Sequence, residues 1–67
     1  MDSAQRATLV LERDMEEDRW FVVAYLVHDD GRRERTTLTW RKTREEAANA
    51  LEDIWAAVIK QRAKFAA

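Results

Sequence analysis

The residues of this chain that could do chemistry are its cations. Arg32, Arg33, Arg35, Arg41, Lys42 and Arg44 lie between positions 32 and 44, where Glu34 is the only carboxylate, and Thr37 and Thr39 alternate among them. Guanidinium, ammonium and hydroxyl groups along a strand can fix phosphates while the strand lies in a DNA major groove. Arg33, Arg35, Thr37, Thr39, Arg41 and Lys42 are therefore the candidate nucleic-acid-binding set, acting by electrostatic docking with limited base readout. Upstream, Glu12, Asp14, Glu16, Glu17 and Asp18 are opposed by Arg13 alone. The chain is polarised although its net charge is only −1, and a near-neutral total weakens nonspecific attraction to a polyanion. Charge runs more commonly serve as solvated turns and edges that keep a sheet soluble.

No enzyme site assembles from the remaining residues. The chain has no cysteine, its only serine is Ser3, and His28 has no nucleophile in its neighbourhood, so triad chemistry lacks its parts. One glycine cannot build a phosphate-cradling loop. A single histidine without cysteines makes no common metal cage, and the pairs Glu16-Glu17 and Asp29-Asp30 lack the alternating spacing of a calcium loop. His28 beside Asp29 and Asp30 could titrate near neutral pH, but an exposed hairpin histidine without a role is the commoner case. The expectation is a non-enzymatic binding module with no cofactor, no metal and no small-molecule substrate.

The elements that must position these groups follow from periodicity. Arg19 to His28 is apolar on both alternating faces, which marks a central strand. Ahead of it, Ala7, Leu9 and Leu11 alternate with Thr8, Val10 and Glu12 as a half-buried edge strand; after it comes the Thr-rich run Thr36 to Trp40. Arg13 to Asp18 is too charged to bury and reads as a loop, with Asp14 and Asp18 as turn formers. Asp29-Asp30-Gly31-Arg32 is a hairpin turn. Thr43-Arg44-Glu45-Glu46 fits a capping box, with Glu46 reaching back to the Thr43 amide. Glu45 and Glu46 suit the positive end of the helix dipole, and Lys60, Arg62 and Lys64 its negative end. The stripe Ala47, Leu51, Ile54, Val58 and Phe65, flanked by Ala48 and Trp55, is spaced to pack on the sheet. The predicted fold class is α+β: a three-stranded antiparallel β-meander packed on one face by a long C-terminal helix, β-β-β-α. It forms one small domain over residues 1–67, with residues 1–5 and 66–67 frayed. A helix of roughly 33 Å over strands of roughly 26 Å overhangs the sheet, leaving Ile59 or Phe65 free to meet a partner.

Two hairpin registers are open, and they exchange the sheet faces. A two-residue Asp30-Gly31 turn sets Phe21, Val23 and Tyr25 opposite Trp40, Leu38 and Thr36. A three-residue loop with a glycine bulge sets His28 opposite Arg32, and Trp20, Val22 and Ala24 opposite those same three residues. The second is preferred because it puts the small Ala24 under the helix and joins Trp20 and Trp40 to the core. It leaves Phe21, Val23, Tyr25 and Val27 on the open face beside Arg33, Arg35, Thr37 and Thr39.

With 67 residues the core is thin, because a domain of this size buries only about 60% of its unfolded surface. Trp40 and Trp55 are expected in that core, and Trp20 with them in the preferred register. A sheet-to-sheet homodimer through Phe21, Val23, Tyr25 and Val27 would supplement it, so a homo-oligomer is expected. The N-terminus lacks a signal-peptide pattern, and no apolar run approaches the roughly 20 residues of a membrane span. A soluble, cytoplasmic protein without a membrane partner is expected.

The segment from Trp20 to about Leu51 resembles the three-stranded arm-type DNA-binding domains at the N-termini of phage and transposon tyrosine recombinases. The matching features are the aromatic strand opening at Trp20, the Asp30-Gly31-Arg32-Arg33 hairpin, the strand-ending Trp40, and Thr43-Arg44-Glu45-Glu46-Ala47 opening the helix. The resemblance implies that the open sheet face enters the major groove through Arg33, Arg35, Thr37 and Thr39. The β-β-β-α order with a Thr-x-x-Glu-Ala helix start also resembles the antitoxin-like HicB half-domains. Two functions therefore stand side by side. One is a phage or mobile-element module binding nucleic acid through the third strand. The other is a small protein-interaction module or inhibitor, of the phage anti-defence type, whose apolar sheet face meets a protein target or a second copy.

Overall fold

The computed structural model describes residues 6–66, with side chains through Gln61. Expectations for residues 1–5, for Ala67 and for the side chains of Arg62, Lys64, Phe65 and Ala66 lie outside the described residues. Strands β1 (Arg6–Asp14), β2 (Arg19–Val27) and β3 (Arg33–Arg41) form one antiparallel sheet in the order β1-β2-β3, followed by helix α1 (Arg44–Ala66). The expected α+β, β-β-β-α architecture is the one the chain adopts. β1 and β3 both extend beyond the expected runs, so Arg13 and Asp14, expected in the loop, belong to β1 and only Met15–Asp18 form the first loop.

The turns are closed by short polar side chains. Asp14 Oδ1 accepts the amides of Glu16 (3.1 Å) and Glu17 (3.4 Å), and Asp18 takes a positive φ of 52°, which a short polar residue tolerates best after glycine. In the second hairpin the His28 amide donates to Arg32 O (2.8 Å) and the Gly31 amide to His28 O (2.9 Å), with Gly31 at φ 88°. This is the three-residue loop, and it sets Ala24 opposite Thr36 and Val23 opposite Thr37.

The ladder then slips by one residue. Val22 pairs with Thr39, Phe21 with Trp40 and Trp20 with Arg41, so Leu38 is extra and forms a β-bulge. Cross-strand partners share a face, so beyond the bulge the strand follows the register that a two-residue turn would have set. Trp40 therefore leaves the core for the open face, where it is 45% exposed, and Thr39 moves to the helix side. Both placements correct the sequence expectation.

The helix start forms one half of the expected capping box. The Thr43 hydroxyl accepts the Glu46 amide (3.1 Å), Thr43 O accepts the Ala47 amide, and the Glu46 carboxylate meets the Thr43 hydroxyl (3.1 Å) instead of the Thr43 amide. Val22, Ala47 and Ala50 are buried where helix meets sheet, with Leu11, Trp20, Leu51 and Ile54 packed around them. Ala50 completes the expected stripe. Trp55 lies at its edge, 36% exposed, and Ile59 is 51% exposed. The protein is thin and long, 42 × 26 × 10 Å with a radius of gyration of 13.7 Å, against about 11 Å for a compact chain of this length. Among the described residues no helix is long and apolar enough to cross a membrane.

Candidate functional site

The sheet face that the helix leaves uncovered carries Val10, Glu12 and Asp14 from β1. Phe21, Val23, Tyr25 and Val27 join them from β2, and Arg33, Arg35, Thr37 and Trp40 from β3. All four residues expected on this face are there. Val23 nonetheless has no exposure, so its neighbours close over it without help from the helix.

Two clusters flank Val23. In the first, the Arg19 guanidinium lies 5.0 Å from the Phe21 ring centre and 4.9 Å from that of Trp40, while Arg19 Nε donates to Asp14 Oδ2 at 3.1 Å. The cation is held between two aromatic faces and a carboxylate, an arrangement stronger when shielded from water. In the second, the Glu12 carboxylate accepts Arg35 Nη2 at 2.5 Å and the Tyr25 hydroxyl, tying all three strands together.

These contacts shift the acids. The bond from Arg35, then that from Tyr25, holds the Glu12 carboxyl below the usual glutamate value, and the contacts with Glu12, then Tyr25, raise the Arg35 guanidinium. For Asp14, burial pushes the pKa up, but the bonds from Arg19 and from the Glu17 and Glu16 amides outweigh it and leave the carboxyl lowered.

The candidate cations do not form one patch. Arg33, Arg35 and Thr37 share the open face near the second hairpin, whereas Thr39 and Arg41 turn to the helix side. There Arg41 Nη1 donates to Thr39 Oγ1 (2.6 Å) and to Trp40 O (2.7 Å). Arg32 pairs with Asp30 at 3.4 Å, and Arg44 lies 5.9 Å from the Trp20 ring centre, which Arg13 approaches to 5.8 Å. Lys42 borders a shallow depression with Glu17, Asp18, Arg19 and Trp40. The two ends of β3 are about 26 Å apart, well beyond the Debye length of about 8 Å at physiological salt. The run that looks continuous in sequence is two separate groups, one beside the acidic loop.

The sequence reading missed Arg19, Asp14 and Glu12 as members of this face. The alternation Thr8, Val10, Glu12, Asp14 carries that signal for the two carboxylates, but the expected edge strand stops at Glu12 and leaves Asp14 in the loop. His28, expected as an exposed hairpin residue, has a side chain that is only 12% exposed and contacts Glu34. No family model matches the chain, and no curated protein or solved structure is significantly similar to it.

Proposed function

We propose that the chain is a non-enzymatic protein-interaction module, of a kind able to act as an inhibitor, with its open sheet face as the contact surface. The observation that carries this reading is the make-up of that face. Trp40, Tyr25 and Val27 are 45%, 38% and 38% exposed around a centre already ordered by Arg19 and Glu12. Aromatic side chains and arginine are the usual anchors of protein interfaces, and anchors held in place before binding lose less entropy on docking.

The partner that fits is a folded protein surface, apolar at its centre and bearing carboxylates where it meets Arg33 at the hairpin end. A phosphate backbone suits the face less well, because Arg35 would have to leave Glu12 and Tyr25, and Arg41 and Arg44 lie on the helix side.

Immobilised wild-type protein, Trp40→Glu and Val27→Glu test the reading, since both substitutions fall at exposed positions and leave the fold intact by circular dichroism. A discrete protein held by the wild type at physiological salt and lost by both variants is expected. Retention of a short random DNA duplex that survives both substitutions but fails in Arg33→Ala would place the function in nucleic-acid binding instead.

A further inference from the structure

The two edges of the sheet are built differently. β3 carries Arg33, Glu34, Arg35 and Arg41 and is broken by the bulge at Leu38, the devices that keep an edge from pairing with another strand. β1 keeps its charges, Arg6, Glu12, Arg13 and Asp14, towards its two ends and has no bulge. It runs nine residues in an unbroken ladder with β2, and its centre, Ala7-Thr8-Leu9-Val10-Leu11, carries no charge, proline or glycine. Among the described residues no element lies along its outer edge. Leu9, Val10 and Leu11 are only half-buried, whereas their partners Ala24, Val23 and Val22 are buried.

We infer that a second copy of the chain occupies this edge, β1 pairing antiparallel with its mate about a two-fold axis at Val10. The sequence is self-complementary in that register. Val10 faces its own copy, Leu9 faces the second copy's Leu11, Thr8 faces its Glu12, Ala7 its Arg13, and Arg6 its Asp14. Opposite charges meet at both ends, leucine meets leucine near the axis, and no like charges are opposed. Each pair joins residues of the same face, so the axis keeps both helices on one side of a doubled sheet, as a closed two-fold assembly requires.

The helix flank agrees. Trp55 lines a shallow depression with Ala7, Thr8, Leu9 and Leu51 beside this edge, and it is 36% exposed, with Ile59 one turn on at 51%. A second copy at the edge brings apolar surface to both. The pairing sets two open faces side by side, which raises avidity for a repeated partner, yet it stands whether the open face binds protein or not.

Light scattering on the wild type should give twice the 7.9 kDa chain mass; a monomer at all concentrations overturns the inference. The chain has no cysteine, so Val10→Cys supplies one thiol per copy. Residues directly opposite in antiparallel strands have Cα atoms about 4.5–5.5 Å apart, within disulfide range. Under a mild thiol oxidant, Val10→Cys should cross-link at least about tenfold faster than Thr37→Cys, which sits mid-face. Faster cross-linking of Thr37→Cys would mean a face-to-face dimer and overturn the inference. Hydrogen exchange of the unmodified protein gives a mutation-free check: alternate β1 amides gain protection as concentration rises, and exchange independent of concentration contradicts the edge pairing.

Discussion

Phe21 stands opposite Trp40, while two residues further along β2 Val23 stands opposite Thr37. The residue skipped between those partners decides the character of the open face, because without the slip Trp40 would sit opposite Trp20 on the helix side. The bulge gives that face its largest exposed aromatic ring and gives Arg19 a second ring to lie over.

Leu38 is therefore surplus to the ladder. Deleting it preserves every observed cross-strand pair, so the shortened chain should fold with a loss of less than about 1 kcal/mol, in the range of surface changes. With Trp20→Phe and Trp55→Phe making Trp40 the only tryptophan, acrylamide quenching should be the same with and without the deletion. Strong protection of Trp40 in the deleted chain would show that the face assignment is wrong.

Among the described residues, Val22 and Val23 are the two fully buried large side chains, one on each face of the sheet. A face that closes over its own centre makes both positions true core. Val22→Ala and Val23→Ala should each lower stability by about 2 kcal/mol, whereas Val27→Ala should cost less than about 0.5 kcal/mol. Chemical denaturation would measure all three, and a Val23→Ala loss as small as that of Val27→Ala would contradict the two-cluster account.

Acid should unfold the protein through Glu12 and Asp14. Their folded pKa values lie below the unfolded ones of about 4.3 and 3.9, so the stability they contribute is complete above those values and is lost as pH falls through the folded values. The urea midpoint should stay level from neutral pH to about 5 and fall below about 4. Glu12→Gln removes one of the two titrations and should flatten that acid limb. An unchanged limb would mean that the Arg35 contact adds nothing to stability.

Two local signals have separate costs. Gly31 holds φ 88° with open space where a side chain would go, so Gly31→Ala is resisted by backbone conformation alone and should cost about 1 kcal/mol. Thr43→Ala removes the acceptor of the Glu46 amide and should also cost about 1 kcal/mol. Thermal unfolding of both variants would check these values.

Much of the fold was legible in the sequence, because its signals are local. The apolar run from Arg19, the Asp-Gly turn and the Thr43 capping box each state their element within a few residues. The composition of the open face was half legible. Phe21, Val23, Tyr25 and Val27 follow from the three-residue turn, but Trp40 and Thr39 depend on the bulge at Leu38, and no residue type around Leu38 announces it. Two registers competed, and the strand uses one near the turn and the other beyond the bulge. The basic run was misleading for a geometric reason: neighbours in an extended strand alternate between faces, and its ends lie far apart. Charge counted along the chain is not charge collected in space.

The most direct test of the proposed contact surface is amide chemical-shift mapping of the labelled chain as the captured protein partner is added. Changes should centre on Phe21, Val23, Tyr25, Val27 and Trp40 and extend to Arg33. Changes confined to the outer helix face at Glu45, Asn49 and Glu52, or the same sheet residues responding to a DNA duplex in place of the protein, would contradict it.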